Sequence, residues 1–330
     1  MQIAETVIES RGPAGVAGLR GAPRRWRPAR PWDTDRAARD CAYTPSSCVP
    51  NLGRYLRQYA ERSAQARDRF PWLALRYGPD RAEVLHFFHA PLSNAPAPNA
   101  PLHVFIHGGY WQELSEAESS FAAPGLLSHG SAFAALGYGL APRHRLDEIV
   151  AMVRRGVLWL RRHAVELGID PKRVHLSGSS AGAHLVAMCL LEDWLPAGLR
   201  PRDVIRGATL LSGIYELEPL RHTCVGDAIG LSIDEAARNS PVRQLRAGLP
   251  PLVVARGSNE TVAFADEHEE LVSTVAELGS PVVDLVVPAR NHFDLPLGLG
   301  DSRDMVGRAV FAQMGLGKMG LGAQATAKRA

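Results

Sequence analysis

Short apolar runs alternate with longer stretches of helical periodicity from Leu73 onward. This alternation is typical of an α/β fold, in which a mostly parallel central sheet is flanked by the helices that join its strands. The apolar runs predict strands at Val84–His89, His103–His107, Ser131–Gly137, Val174–Ser177, Gly207–Leu211, Leu252–Ala255 and Val282–Val287. The helical stretches are Glu148–Leu167, Ala181–Leu191, Ala263–Leu278 and Arg303–Met314.

The regions outside this alternation differ from one another in pattern. At Leu52–Arg69, apolar or small residues recur at helical spacing between Arg and Glu, which predicts an amphipathic helix that adds a small N-terminal helical cap to the sheet. Residues 1–32 are rich in Arg, Gly, Ala and Pro, and residues 315–330 are rich in Gly, Ala and basic residues. Both are predicted to be disordered tails, which leaves residues 33–314 as a single domain.

Composition narrows the classes of function. A hydrophobic content of 46% and a charged content of 22% are those of an ordinary globular protein, and the formal net charge is only +3. The arginines before residue 40 could bind nucleic acid or an anionic membrane, but a plain disordered tail explains them more simply. The Arg24-Arg25 pair is followed by no apolar segment, so an export signal is not predicted. No nucleic-acid or membrane partner is expected.

No cofactor or metal is predicted. The four cysteines show no C-x-x-C pair and no metal-ligand spacing with histidine, which fits free thiols in a reducing cytoplasm. No phosphate-binding glycine loop follows a strand, and no H-E-x-x-H spacing supports a metal site. Histidines on neighbouring segments therefore have structural roles in this interpretation; they are His103, His107, His175 and His184.

The segment Gly178-Ser179-Ser180-Ala181-Gly182 lies between a predicted strand and a predicted helix. A serine nucleophile at the edge of a sheet needs such a tight turn, and glycines two residues to either side leave room for its strained backbone. The hydroxyl of Ser180 would then lie at the positive end of the helix, where a developing anion is stabilised. Ser180 is the predicted nucleophile.

A second strand ends in His107-Gly108-Gly109, about seventy residues before the serine. Backbone N–H groups at a Gly-Gly turn can stabilise the oxyanion of acyl transfer without obstruction from side chains. Gly108, Gly109 and Ala181, the residue after the nucleophile, are the predicted oxyanion donors. Tyr110 and Trp111, which follow the glycines, are weaker candidates for contacting a substrate.

An acid and a base are expected after the serine, each in a loop at the carboxyl end of a strand. Glu260 follows Leu252–Ala255 and is the predicted acid; His292 follows Val282–Val287 and is the predicted base. Other carboxylates near these positions are Asp266, Glu267 and Asp294, and they remain alternatives to Glu260.

Taken together, these segments resemble the kynurenine formamidase (arylformamidase) family, in the hormone-sensitive-lipase-like group of α/β-hydrolases. The resemblance extends from about Tyr55 to Met314. Its motifs are His107-Gly108-Gly109-Tyr110-Trp111-Gln112, Gly137-Tyr138-Gly139-Leu140-Ala141-Pro142, Ser180-Ala181-Gly182-Ala183-His184-Leu185, Leu211-Ser212-Gly213-Ile214-Tyr215-Glu216-Leu217-Glu218-Pro219, Ala236-Ala237-Arg238-Asn239-Ser240-Pro241 and Asn291-His292-Phe293.

The resemblance implies hydrolysis of a small aryl formamide, such as N-formylkynurenine to kynurenine and formate, with a Ser180, Glu260 and His292 triad. Two departures matter: the family's acid is commonly Asp, and Asp266-Glu267 replaces an Arg-Gln pair. A carboxylesterase or amidase acting on another small aromatic substrate therefore stays open, as does a non-catalytic binding protein of the same fold. A homodimer is also open.

Overall fold

The computed structural model describes residues 30, 33, 35–91 and 99–316. The predicted tails at 1–32 and 315–330 fall outside these residues, apart from Arg30, Gly315 and Leu316. The described residues from Asp33 onward belong to one compact unit. None of the helices in this part of the chain has the length and apolar character that a membrane span requires.

The described strands form one sheet. In chain order they are β1 (Leu73–Arg76), β2 (Val84–Phe88), β3 (Ala100–Ile106), β4 (Ala132–Leu136), β5 (Ile169–Ser179), β6 (Gly207–Leu211), β7 (Leu252–Asn259) and β8 (Val282–Asn291). Their order across the sheet is β1-β2-β4-β3-β5-β6-β7-β8. β2 pairs antiparallel with β1 and with β4, whereas β4, β3, β5, β6, β7 and β8 run parallel to one another. The predicted mostly parallel sheet is confirmed.

Ten α-helices surround the sheet within the described residues. They are α1 (Arg36–Ala42), α2 (Leu52–Arg69), α3 (Ala123–Ser128), α4 (Leu146–Arg162), α5 (Ala181–Cys189), α6 (Pro201–Val204), α7 (Cys224–Ala228), α8 (Ile233–Arg238), α9 (Val262–Glu277) and α10 (Met305–Met314). The long helices predicted from periodicity are all present, although α4 ends at Arg162 and not at Leu167. The missed helices, such as α1 and α6–α8, are too short to show a helical period. The strand β1 was missed because most of its four residues are exposed.

Two apolar clusters cover the two faces of the sheet. Neighbouring side chains on a strand point to opposite faces, and in β2 Phe87 belongs to one cluster while Phe88 belongs to the other. Helices α4, α5 and α9 contribute to the first cluster, and α3 and α10 to the second. Every residue of β3 and of β4 is buried, because both faces of the central strands are covered.

The N-terminal helices pack against loops at the carboxyl ends of the parallel strands. The Thr261 hydroxyl, in the loop between β7 and α9, donates to the Ala42 carbonyl at the end of α1. The Tyr59 hydroxyl of α2 donates to the Phe293 carbonyl just after β8, at 2.5 Å. These contacts confirm the expected N-terminal helical cap, which comprises α1, a 3-10 turn at Pro45–Cys48, and α2.

The complete burial of Phe87 on β2 gives a prediction for stability. Phe87→Ala removes a fully buried ring and should lower the free energy of unfolding by about 3–5 kcal/mol. Val165→Ala is the control, because Val165 is 90% exposed and its loss should change little. Urea unfolding followed by circular dichroism measures both. Equal midpoints for the two variants would contradict this placement of Phe87.

Candidate active site

Ser180 occupies the sharp turn between β5 and α5. Its backbone has φ of 56° and ψ of −121°, a left-handed conformation that L-residues rarely adopt. A Cβ atom on Gly178 would lie 2.2 Å from the Gly182 carbonyl oxygen, and one on Gly182 would lie 2.0 Å from the Ile106 carbonyl oxygen. The Ser180 amide donates to the Leu211 carbonyl of β6 at 2.8 Å. The two glycines and this bond together hold the strained turn.

The Ser180 turn and His292 both line a cavity of about 300 Å³. The remaining walls come from the cap, from the loops after β3 and β8, and from single residues of β3 and α7. Among the aromatic lining residues are Tyr43, Tyr59, Phe105, Tyr110, Phe121 and Phe293. Cavities of this size fit small organic molecules, so the site is that of a small ligand.

His292 is held by a buried carboxylate. Its Nδ1 lies 3.0 Å from Oε2 of Glu260, whose side chain is fully shielded from solvent. The other oxygen, Oε1, accepts hydrogen bonds from the Ser212 hydroxyl and from the Gly257 amide, both at 2.6 Å. Burial would raise the pKa of Glu260, but His292 together with these two donors lowers it below its ordinary value. Glu260 is therefore an ionised acceptor for the imidazole.

Two of the alternative carboxylates are bound to other groups. Asp294 accepts from the Asn291 amide at 2.8 Å and from the Asn291 side chain at 2.9 Å. Glu267 is fully buried in α9 and accepts from the Tyr43 hydroxyl at 3.1 Å and from the Tyr215 amide at 2.7 Å. Glu267 thus joins the cap to the loop after β6 through hydrogen bonds, which is a structural role.

The loop after β3 lies directly against the nucleophile turn. A Cβ atom on Gly108 would lie 2.7 Å from the Ser179 carbonyl oxygen and 3.1 Å from Cβ of Ser180. Gly109 has φ of +91°, which favours glycine. Among the hydrogen bonds of the described residues, none uses the amide of Gly108, Gly109 or Ala181 as its donor. These amides are available to a ligand beside Ser180.

His107 braces this loop from behind. Its ring stacks on Tyr138 with the centroids 4.1 Å apart, and the Tyr138 hydroxyl donates to the His107 carbonyl at 2.8 Å. Burial lowers the pKa of His107 to about 4, so the ring is neutral near pH 7. It has a structural role, as expected.

Of the two aromatic candidates after the glycines, only Tyr110 lines the cavity. Its hydroxyl donates to the Tyr43 carbonyl of the cap at 2.5 Å. Trp111 was wrongly expected there: it is fully buried in the core and packs edge-on against His184, with ring centroids 5.0 Å apart. Both residues have positive φ, and this reversal of the chain carries the indole away from the cavity.

Several contacts of the site were not found from the sequence. Ser212 holds Glu260 from a left-handed conformation with φ of 48°. In the cap, Tyr59 bonds the Phe293 carbonyl, and the Asn291 side chain donates to the Tyr55 hydroxyl at 3.1 Å. Tyr55 and Tyr59 are four residues apart, on one face of α2, but helical periodicity does not show what that face contacts.

The described histidines, cysteines and carboxylates include no group suited to a metal ion. The buried histidines have protein partners: His103 Nε2 lies 2.6 Å from the Ser177 hydroxyl, and His184 Nε2 lies 2.8 Å from the Asn239 carbonyl. All four cysteines are free thiols.

Comparison with known proteins gives the family. The family model described as BD-FAE matches residues 91–194. The kynurenine formamidase of Danio rerio is 33% identical over 244 residues, which cover 72% of this chain and 80% of the relative. That of Salmo salar is 34% identical over 229 residues, or 68% of this chain and 75% of the relative. The chain belongs to the kynurenine formamidase family.

The solved structures agree with this membership of the kynurenine formamidase family. A candidate thioesterase from Silicibacter sp. TM1040 superimposes with a TM-score of 0.71 at 27% identity, covering 82% of this chain and 98% of that protein. Esterases also occur among the sequence relatives. The predicted α/β-hydrolase fold is confirmed, and the protein is a hydrolase acting on esters or amides.

The contact between Glu260 and His292 gives a prediction that separates the candidate acids. Glu260→Gln removes the carboxylate bonded to the imidazole, and hydrolysis of p-nitrophenyl acetate should slow by about 10³-fold or more, as for other triad acids. Asp266→Asn is the matched control and should retain most of the activity. Greater loss in Asp266→Asn than in Glu260→Gln, with both folded by circular dichroism, would overturn the choice of Glu260.

The cap gives a second prediction. Tyr59→Phe leaves the ring in place but removes the hydrogen bond to the Phe293 carbonyl, next to His292. A lost hydrogen bond of this kind is worth about 1 kcal/mol, so kcat for p-nitrophenyl acetate should fall by about fivefold. The melting temperature should change little, so the loss of kcat should not be explained by loss of stability. Unchanged kcat would show that the cap does not position the base.

Proposed function

We propose that this protein is a serine hydrolase that cleaves a small aryl formamide, such as N-formylkynurenine, through an acyl-enzyme. The observation that carries the proposal is the placement of Ser180 and His292 on one small cavity, with His292 hydrogen-bonded to buried Glu260. Membership of the kynurenine formamidase family supports the choice of a formamide over other acyl compounds.

The first half of the reaction transfers the formyl group to the enzyme. The Ser180 oxygen attacks the formyl carbon while Nε2 of His292 takes the hydroxyl proton, and Glu260 stabilises the resulting imidazolium. The amides of Gly108, Gly109 and Ala181 donate to the oxyanion of the tetrahedral intermediate. The carbon–nitrogen bond then breaks, and His292 returns the proton to the departing aryl amine.

The second half releases formate. Water enters the space left by the amine, gives a proton to His292 and attacks the formyl carbon of the ester. The second tetrahedral intermediate is stabilised by the same three amides. Its collapse breaks the bond to Ser180, and His292 returns the proton to the serine oxygen. The product leaves as formic acid, which ionises to formate in water, so no other group is required to balance these steps.

The cavity supports a small aromatic substrate. Six aromatic side chains are among its lining residues, including Tyr59 and Phe121, which stack with ring centroids 5.3 Å apart. Flat rings of this kind favour contact with another aromatic ring. A volume of about 300 Å³ is at the small end for ligand cavities, so long acyl chains fit poorly.

A carboxylesterase or amidase acting on another small aromatic substrate is the second candidate. It is favoured by the esterases among the sequence relatives and by Glu260, where a shorter Asp is usual in the family. The same triad and oxyanion amides would act on an ester, because both reactions pass through an acyl-enzyme.

The rates on N-formylkynurenine and on p-nitrophenyl acetate separate these candidates. For the formamidase, kcat/KM on N-formylkynurenine should be at least as high as on the ester, and Ser180→Ala should lower both by about 10³-fold or more. Hydrolysis of the ester alone would favour the second candidate. No hydrolysis of either by the folded wild-type protein would overturn both.

A further inference from the structure

The charged groups of the cavity wall are of one sign. Glu113 and Glu118 both line the cavity, and none of its lining residues is Lys or Arg. The two lining histidines are His107 and His292, which belongs to the proposed triad. Burial lowers the pKa of His107 to about 4. The described wall therefore presents two carboxylates and a set of aromatic rings to whatever enters.

Of the two carboxylates, Glu118 is the better placed to contact a bound ligand. It ends the 3-10 turn Glu116–Glu118 and is half-buried, whereas Glu113 is exposed. Its Oε2 accepts from the Ser115 hydroxyl at 2.7 Å, which holds the side chain in place. The charge of Glu118 also acts on His107, directly before the oxyanion glycines, and raises its pKa against the larger effect of burial. Glu118 thus has a fixed side chain and lines the same cavity as His107.

Arg67 of α2 contacts this turn but does not line the cavity. Its guanidinium donates to the Ala117 carbonyl and lies over the Trp72 ring, 5.9 Å from the centroid. Arg67 and Glu118 form no ion pair among the described residues. An anionic group on a substrate would therefore meet a cavity wall that includes two glutamates and that no Lys or Arg lines.

We propose that Glu118, assisted by Glu113, makes the cavity selective for aryl substrates that carry a cationic amine and selects against those that carry only a carboxylate. This rests on the proposed function and adds a specificity-determining residue to it. The cation would lie between the carboxylates and the aromatic walls, where both a charge pair and cation–π contacts stabilise it. A narrow cleft lined by one sign of charge also concentrates the matching ligand.

Three substrates that differ in the charge of their 4-substituent test the proposal. They are the formanilides with a 4-aminomethyl, a 4-methyl or a 4-carboxymethyl group, and each rate is divided by the rate of alkaline hydrolysis to correct for reactivity. The wild-type kcat/KM should fall in the order cationic, neutral, anionic, with about a tenfold to hundredfold range between the ends. The range should narrow as salt is added, because Glu113 is exposed to solvent and its charge is screened by ions.

The phenyl acetates with the same three groups are measured in parallel. If the protein cleaves these esters in the same order but leaves the formanilides intact, the formamidase proposal fails and the charge selectivity stands. If formanilides are cleaved without preference for the cation, the selectivity fails and the formamidase proposal stands. If neither series is cleaved, the charge selectivity is tested by measuring the affinities of the three matched 4-substituted anilines for the folded protein. Equal affinities would overturn the selectivity.

Glu118→Gln and Glu116→Gln form a matched pair of variants. Glu116 lies two residues away in the same turn and does not line the cavity. Glu118→Gln should reduce the ratio of cationic to anionic kcat/KM by about tenfold, while Glu116→Gln should keep the wild-type ratio. Using a ratio removes any general loss of activity from the comparison. A similar change of the ratio in both variants, or no change in Glu118→Gln, would overturn the role of Glu118.

Discussion

The close approach of two strand ends is the constraint on which the rest of the site depends. The backbone after β3 and the turn after β5 lie so near each other that a Cβ atom at Gly182 would collide with the Ile106 carbonyl, and one at Gly108 with the Ser179 carbonyl. Parallel pairing of β3 with β5, in register through Ile106 and Gly178, brings these segments side by side. Glycine is thus required on both sides of the contact, and the proposed oxyanion amides lie beside the Ser180 turn as a result.

A second level of organisation comes from the cap, which contacts the loops that carry the site residues. Tyr110 of the loop after β3, Thr261 after β7 and Phe293 after β8 are each hydrogen-bonded to a residue of the cap or of the turn after α1. These loops belong to different strands, and the cap joins them into one wall around the cavity. The cap also supplies aromatic side chains to that wall, so it shapes the ligand space as well as the loops.

The carboxylates near the site have separate tasks because their partners differ. Glu260 is buried and bonded to His292, Ser212 and Gly257, which stabilises its ionised form. Glu267 is equally buried but accepts backbone and tyrosine donors, and so ties α9 to the cap and to the loop after β6. Glu118 and Glu113 line the cavity, and in the proposal made above their charge acts on the substrate. Residue type alone does not distinguish these roles, since all four are glutamates.

The sequence by itself determined the sheet, the long helices and the motifs of the site. Continuous apolar runs predict buried strands, and the G-x-S-x-G segment at a strand-to-helix boundary predicts the strained turn at Ser180, because both depend on local backbone and burial requirements. The order of Glu260 and His292 along the chain predicted their pairing for a different reason, because each follows a parallel strand and the carboxyl ends of those strands lie at one edge of the sheet. Only the tertiary structure decided which groups meet across long sequence separations. The left-handed backbone at Trp111 turned its indole into the core, the face of α2 that carries Tyr59 met the loop of His292, and Ser212 reached Glu260. Contacts of this kind depend on how separate elements pack, and a periodic pattern within one element records that a face is covered without showing what covers it.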